Sequence, residues 1–278
     1  MPPAKSFNWK NLGIRVASAT VLVPTVLGAV WFGGEGRLAG WPFLLMIAVA
    51  VALLALEWGA MTAPRSPLRV SAAVTAAVLI GTFLAHRDHM ALAWGGLVLG
   101  SIAAALVARG VAERLADAAF GVLYIGVAAI CLVWLRSMPQ GEWWTLMLFL
   151  ITWMADIAAF AVGSALKGPK LWPRFSPNKT WTGFVGGLAA ATGVGAAMTV
   201  FPAFQLNIYA GALVGLVGGG ATMAGDLWES VIKRRFGVKD TGNLIPGHGG
   251  LLDRVDGLIF AVVIISAARL VNHLGWGH

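Results

Sequence analysis

Nine stretches of apolar sequence, each near the ~20 residues that a helix needs to cross a ~30 Å hydrocarbon core, set the terms for this chain. They lie at about 13–32, 41–61, 69–85, 90–108, 117–135, 143–165, 181–201, 207–227 and 257–275. Inside a bilayer each backbone N–H and C=O must be paired within the protein, so only helices and closed barrels can span it. Period-two alternation, the mark of barrel strands, is absent. The expected fold is all-α: a polytopic integral membrane protein with about nine transmembrane helices. A composition of 58% hydrophobic and 12% charged residues over 278 positions excludes a soluble domain of this size.

The first stretch follows Lys5, Lys10 and Arg15 and resembles a signal peptide. Its length, and the eight segments behind it, make it an uncleaved first helix. Orientation follows from the basic residues. With the N-terminus inside, sixteen of the twenty Lys and Arg face the cytoplasm, and only Arg37, Arg87, Arg136 and Arg269 lie outside. That bias places the N-terminus, and the basic loops, on the cytoplasmic side of the cell membrane. The net charge of +8 is thereby explained by topology and by an anionic leaflet, with no nucleic acid needed. The single cysteine, Cys131, excludes an intramolecular disulfide and a thiolate metal cage, and reads as a small core residue.

Residues 1–140 read as a scaffold of membrane helices facing lipid, and residues 141–278 as the catalytic half. Six of the twelve acidic residues lie beyond position 150, and nine basic residues fall in two cytoplasmic loops expected at 166–180 and 228–256. Asp156, in "TWMADIAAFAVG", and Asp226, in "TMAGDLWESVIKRR", sit at the inner ends of apolar helices. A carboxylate at that depth is costly and implies a polar cavity and a partner. The small residues of "GALVGLVGGGATMAGD" would let neighbouring helices approach closely around Asp226.

Asp226, Ser230 and Lys233 share a helical face at i, i+4 and i+7, with Arg234 beside them. Such a face can hold a metal and a phosphate together. Asp253 and Asp256 lie three apart; helix capping explains one of them, whereas the second, next to Arg254, asks for another role. Oxygen ligands without cysteine select a hard cation such as Mg²⁺, with Asp226 and Asp253 as its carboxylates. The "PGHGG" element can bring backbone N–H groups up to an anion, and reads equally as a turn; His248 within it either donates to phosphate or bridges the loop. Lys233, Arg234 and Arg235 alone would be an interfacial anchor. Beside Lys239, Asp240, His248, Asp253 and Arg254 they match what phosphoryl and nucleotidyl transfer require. The loop "KGPKLWPRFSPNKTWTG" adds Ser176, Lys179 and Thr180, and no Walker lysine motif is present. Glu57, alone in the second helix, reads as a buried structural bond.

The stretch "SVIKRRFGVKDTGNLIPGHGGLLDRVD", Ser230 to Asp256, resembles the signature of the phosphatidate cytidylyltransferases, or CDP-diacylglycerol synthases. The positions that carry the likeness are Ser230, Lys233, Arg234, Lys239, Asp240, Gly242, Pro246, His248, Gly249, Gly250, Asp253, Arg254 and Asp256. "DIAAFAVG" and "FSPNKTWTG" are similar to two further family elements. Thr182, Phe160 and Ser164 depart from residues common in the family and are not carried over as catalytic.

The resemblance implies transfer of the cytidylyl group of CTP to phosphatidate, in the bilayer, giving CDP-diacylglycerol and pyrophosphate. It implies a catalytic group of Asp226, Asp253, Asp256, Lys239 and Asp240, with Mg²⁺ on Asp226 and Asp253 and Asp256 as a supporting or alternative ligand. Ser176, Lys179, Thr180, Ser230, Lys233, Arg234, His248, Gly249, Gly250 and Arg254 would bind the substrates. A homodimer stays open. The other readings are a CTP-dependent polyprenol kinase, which would release CDP, and an ion-coupled transporter, which would favour polar residues near mid-bilayer in both halves.

Overall fold

The computed structural model describes residues 9–32, 40–242, 244 and 249–275, with the side chains of its first helix described from Thr20 onward. Among the described residues there are nine helices, one for each apolar segment. They are α1 (Trp9–Trp31), α2 (Trp41–Thr62), α3 (Pro67–His86), α4 (Met90–Val107), α5 (Leu115–Ser137), α6 (Gly141–Leu166), α7 (Trp181–Met198), α8 (Ile208–Arg235) and α9 (Leu252–His273). Eight of these, α2 to α9, are long and apolar enough to cross a membrane. In α1 the described apolar part is Thr20–Trp31. Apolar side chains such as Leu45, Val98, Leu99, Val185 and Leu213 are exposed, as a protein solvated by lipid requires.

Local chemistry sets where the helices begin. Proline in the first turn starts α2 and α3, where its missing N–H costs nothing. The Thr180 side chain caps α7 by accepting from Gly183 N at 3.1 Å, and Asn207 caps α8 by accepting from Ala210 N at 2.8 Å. Two strands, β1 (Lys170–Trp172) and β2 (Ser176–Thr180), form an antiparallel hairpin between α6 and α7, with Lys170 opposite Thr180 and Trp172 opposite Ser176.

The connection expected at 228–256 is shorter than its sequence suggests. Helix α8 continues through its charged residues to Arg235, and α9 already begins at Leu252, so Ser230, Lys233, Arg234, Asp253, Arg254 and Asp256 are all helical. An apolar window stops where charges begin, but here the charges are paired within the helix and across to its neighbour. Lys233 bonds Glu229 one turn back at 2.8 Å, and Asp253 at 2.7 Å. The loop expected at 166–180 is largely the hairpin.

Helices α2 to α5 pack on one another, α6 to α9 form a second group, and α5 against α9 joins the two. Helices α8 and α9 cross closest at the level of the acidic residues. A Cβ on Gly225 would fall 2.4 Å from the Asp256 carbonyl oxygen, and one on Gly257 would fall 2.7 Å from the Thr222 methyl. The two helices therefore touch backbone to backbone between Asp226 and Asp256.

Gly225→Val should force this crossing apart and destabilise the protein by roughly 1–3 kcal/mol or more, as overpacking of a tight interface does. A thermal melt in detergent would show the lowered midpoint, while Gly95→Ala, where a Cβ meets nothing within 4 Å, should melt at or above wild type. Equal midpoints for Gly225→Val and wild type would contradict the close crossing.

Candidate active site

The polar residues converge where the last turns of α8, the first turns of α9 and the β1–β2 hairpin meet. Lys179, on β2, reaches Asp226 of α8 at 2.6 Å. The Ser230 hydroxyl donates to the Asp226 carbonyl oxygen at 2.9 Å, so it serves its own helix backbone. Lys233 lies between Glu229 and Asp253, tying α8 to α9. Asp156 of α6 feels the charges of Asp226, Lys179 and Arg254, and Asp256 feels those of Asp226 and Glu229. Carboxylates of α6, α8 and α9 therefore share one electrostatic site.

Asp253 holds the connection that precedes its own helix. Its Oδ1 accepts from Lys233. Its Oδ2 accepts from Thr241 N at 3.0 Å, Thr241 Oγ1 at 3.0 Å and Gly250 N at 3.1 Å. Gly250 is the residue that permits this, because a Cβ there would lie 2.1 Å from Thr241 Oγ1 and 3.0 Å from Asp253 Oδ2. Gly249 beside it has φ 86°, which glycine adopts without cost.

Glu57 completes the arrangement from α2. Its side chain is 3% exposed, and it accepts from Leu251 N and Leu252 N, both at 2.7 Å, and from Thr241 Oγ1 at 3.3 Å. The expected buried structural bond is therefore the cap of α9: a carboxylate on the free N–H groups of a helix start, the favourable sense for the helix dipole. Sequence reading missed this target because the partners are backbone amides 194 and 195 positions away. Its only signal was a lone charge in an apolar helix. Also unforeseen is Asp117, at the start of α5, which pairs with Arg235 at the end of α8.

The other expected residues fall as follows. Thr180 is buried as the cap of α7, and Ser176 is half-buried on β2. Arg234, Lys239, Asp240 and Arg254 are exposed. His248 lies outside the described residues.

Whether these residues suit a hard cation can be judged from their charge. Asp156, Asp226, Glu229, Asp253 and Asp256 are five carboxylates, and the cations beside them are Lys179, Lys233 and Arg254. Carboxylates outnumber these cations, and Glu229, which is buried, faces Asp256 as well as Lys233. Among the described residues no three acidic, histidine or cysteine side chains stand close enough to bind a metal by themselves. Mg²⁺ takes one or two carboxylates and fills the rest of its shell with phosphate oxygens and water, so a pair such as Asp226 and Asp253 would be enough to hold it. The residues fit the ion, provided a substrate completes its shell.

The profile of the cytidylyltransferase family matches residues 13–271. The chain belongs to this family. It is 39% identical over 259 residues to the phosphatidate cytidylyltransferase of Brucella suis biovar 1, covering 92% of each chain. The Brucella melitensis biotype 1 protein of the same name matches to the same extent. The phosphatidate cytidylyltransferase of Staphylococcus haemolyticus is 41% identical over 153 residues, 54% of this chain and 58% of that one. The family match takes in α2 and α5 as well as the signature helices, so Glu57 and Asp117 lie within it.

Glu57→Ala should strip two buried N–H groups of their acceptor, at roughly 1–3 kcal/mol for each group left unpaired. Hydrogen exchange of the segment 249–256 should then accelerate on the order of tenfold or more, with the exchange of α3 and α4 unaltered. Wild-type protection of that segment in Glu57→Ala would show that the cap does not hold the loop.

Proposed function

We infer that this protein transfers the cytidylyl group of CTP to phosphatidate, producing CDP-diacylglycerol and pyrophosphate. The observation that carries this reading is the combination of near-full-length similarity to proteins named for that reaction with a carboxylate-rich, lysine-lined site at one end of the membrane helices. The positive-inside bias supports a site facing the cytoplasm, where CTP arrives from water while the acyl chains of phosphatidate stay in the bilayer.

Both substrates are polyanions, so the site must first overcome their repulsion. Lys179 and Lys233 rest on carboxylates and can exchange such a partner for a phosphate oxygen, and the exposed Arg234, Lys239 and Arg254 would supply further positive charge. A hard divalent ion would be held by Asp226, with Asp256 beside it, and by the Oδ1 edge of Asp253, whose Oδ2 is committed to Thr241 and Gly250. When bound, such an ion neutralises phosphate charge and polarises the α-phosphoryl group. A phosphatidate oxygen then forms a bond to the α-phosphorus of CTP, and the bond from that phosphorus to the β-bridging oxygen breaks, with pyrophosphate leaving in line. No general base is required, because phosphatidate is already an oxyanion at neutral pH. Glu57, Thr241 and Gly250 keep Asp253 aimed as the charges rearrange.

The purified chain in detergent should release pyrophosphate only when CTP, phosphatidate and Mg²⁺ are all present, and EDTA should stop it. Asp253→Asn keeps the shape but removes the negative charge that faces Lys233 and should lower turnover by on the order of a hundredfold or more, with the protein still inserted. Wild-type turnover in that variant would remove Asp253 from the site.

A further inference from the structure

An apolar groove of 690 Å³ opens between α5, α8 and α9, next to the carboxylate cluster. Phe120 and Tyr124 of α5, Gly220, Ala221 and Ala224 of α8, and Phe260 of α9 line it. The small residues of α8 are what leave the room. Along α8 the lining runs from Ala224, two residues from Asp226, back to Val217. That is roughly 10 Å of helix axis at ~1.5 Å per residue. Along α9 it runs from Ile259, three residues past Asp256, to Ile264. Both paths lead away from the basic end of the bundle, in the direction a lipid tail takes from its headgroup. The volume lies in the range of roughly 300–1,000 Å³ typical of small-molecule sites.

One polar group interrupts the apolar wall. Tyr124 is only 8% exposed, and its hydroxyl has no hydrogen-bond partner among the described residues. The same residue feels the charges of Glu229, Asp256 and Asp226, so it stands at the junction of groove and acidic site. A buried hydroxyl without a partner is costly, and such groups in a native protein call for a ligand or water to complete them.

We propose that the groove seats one acyl chain of the lipid substrate, and that the Tyr124 hydroxyl donates to the ester carbonyl linking that chain to glycerol. The proposal rests on the phosphatidate reading and adds where a tail lies and which residue reads its linkage. The order of groups matches: phosphate, ester, then chain in the lipid; carboxylate and lysine cluster, Tyr124, then apolar groove in the protein. Within a bilayer the chain passes from one apolar surrounding to another, so the hydrophobic effect adds little. The groove sets position and chain length instead of affinity.

Val263 is exposed at the groove's deep end, so Val263→Trp fills that end without disturbing packed core. In mixed micelles holding dioctanoyl and dipalmitoyl phosphatidate together, Val263→Trp should shift the CDP-lipid products at least fivefold toward the short chain. Wild type should prefer the diester over the diether analogue on the order of fivefold, the worth of one hydrogen bond, and Tyr124→Phe should lose that preference with KM for CTP unchanged. Product ratios that stay flat in both variants, while wild type turns over phosphatidate, overturn the groove assignment alone. A flat ratio with an altered oligomeric state in Val263→Trp gives the groove to a second copy of the chain and also overturns it. A wild type that makes no CDP-lipid overturns the phosphatidate reading, and the occupant with it.

Discussion

The ammonium of Lys233, held between Glu229 of its own helix and Asp253 of the next, is the interaction on which the rest of the site depends. One positive charge between two carboxylates, of which Glu229 is fully buried, leaves a negative remainder, and in a low dielectric that remainder demands another cation or a proton. The same tie fixes the relation of α8 to α9 at the level where Gly225 and Gly257 bring their backbones into contact. Lys179 rests on Asp226 in the same region, so both lysines of the site are neutralised by carboxylates of α8 and α9.

The first half of the chain is more than a frame. From α2, Glu57 caps α9 and anchors the backbone just ahead of Asp253, while the Thr241 hydroxyl stands between the two carboxylates. From α5, Asp117 secures the end of α8 through Arg235, and the Trp58 indole donates to the Asp117 carbonyl, linking α2 to α5 beneath that pair. These contacts show how residues far apart in the chain fix Thr241 and the backbone of Gly250, Leu251 and Leu252 around Asp253. Such positioning matters to an in-line reaction, where misplacement by an ångström is costly.

Much of this was legible in the sequence because a bilayer allows few solutions. Each of the nine apolar segments forms a helix among the described residues, and the i, i+4, i+7 spacing correctly placed Asp226, Ser230 and Lys233 on helical turns. The ends of α8 and α9 were misjudged, because hydropathy reads paired charges as loop. The signature stretch directed attention to Lys233, Asp253 and Gly250, whose bonds the structure now supplies. It could not reveal that Asp253 spends one oxygen on its own loop, or that Ser230 bonds its own backbone, since those depend on three-dimensional register. Glu57, Asp117 and the unpartnered Tyr124 hydroxyl were hidden for a related reason: each acts on a partner distant in sequence or on none within the chain.

Cytidylyl transfer is tested most directly by the position of the label that reaches the lipid. CTP carrying radioactive phosphorus at the α position should yield labelled CDP-diacylglycerol from phosphatidate, and CTP labelled at the γ position should yield only labelled pyrophosphate. Lipid labelled from the γ position, with CDP as the other product, would show a kinase and contradict the reaction assigned to this site.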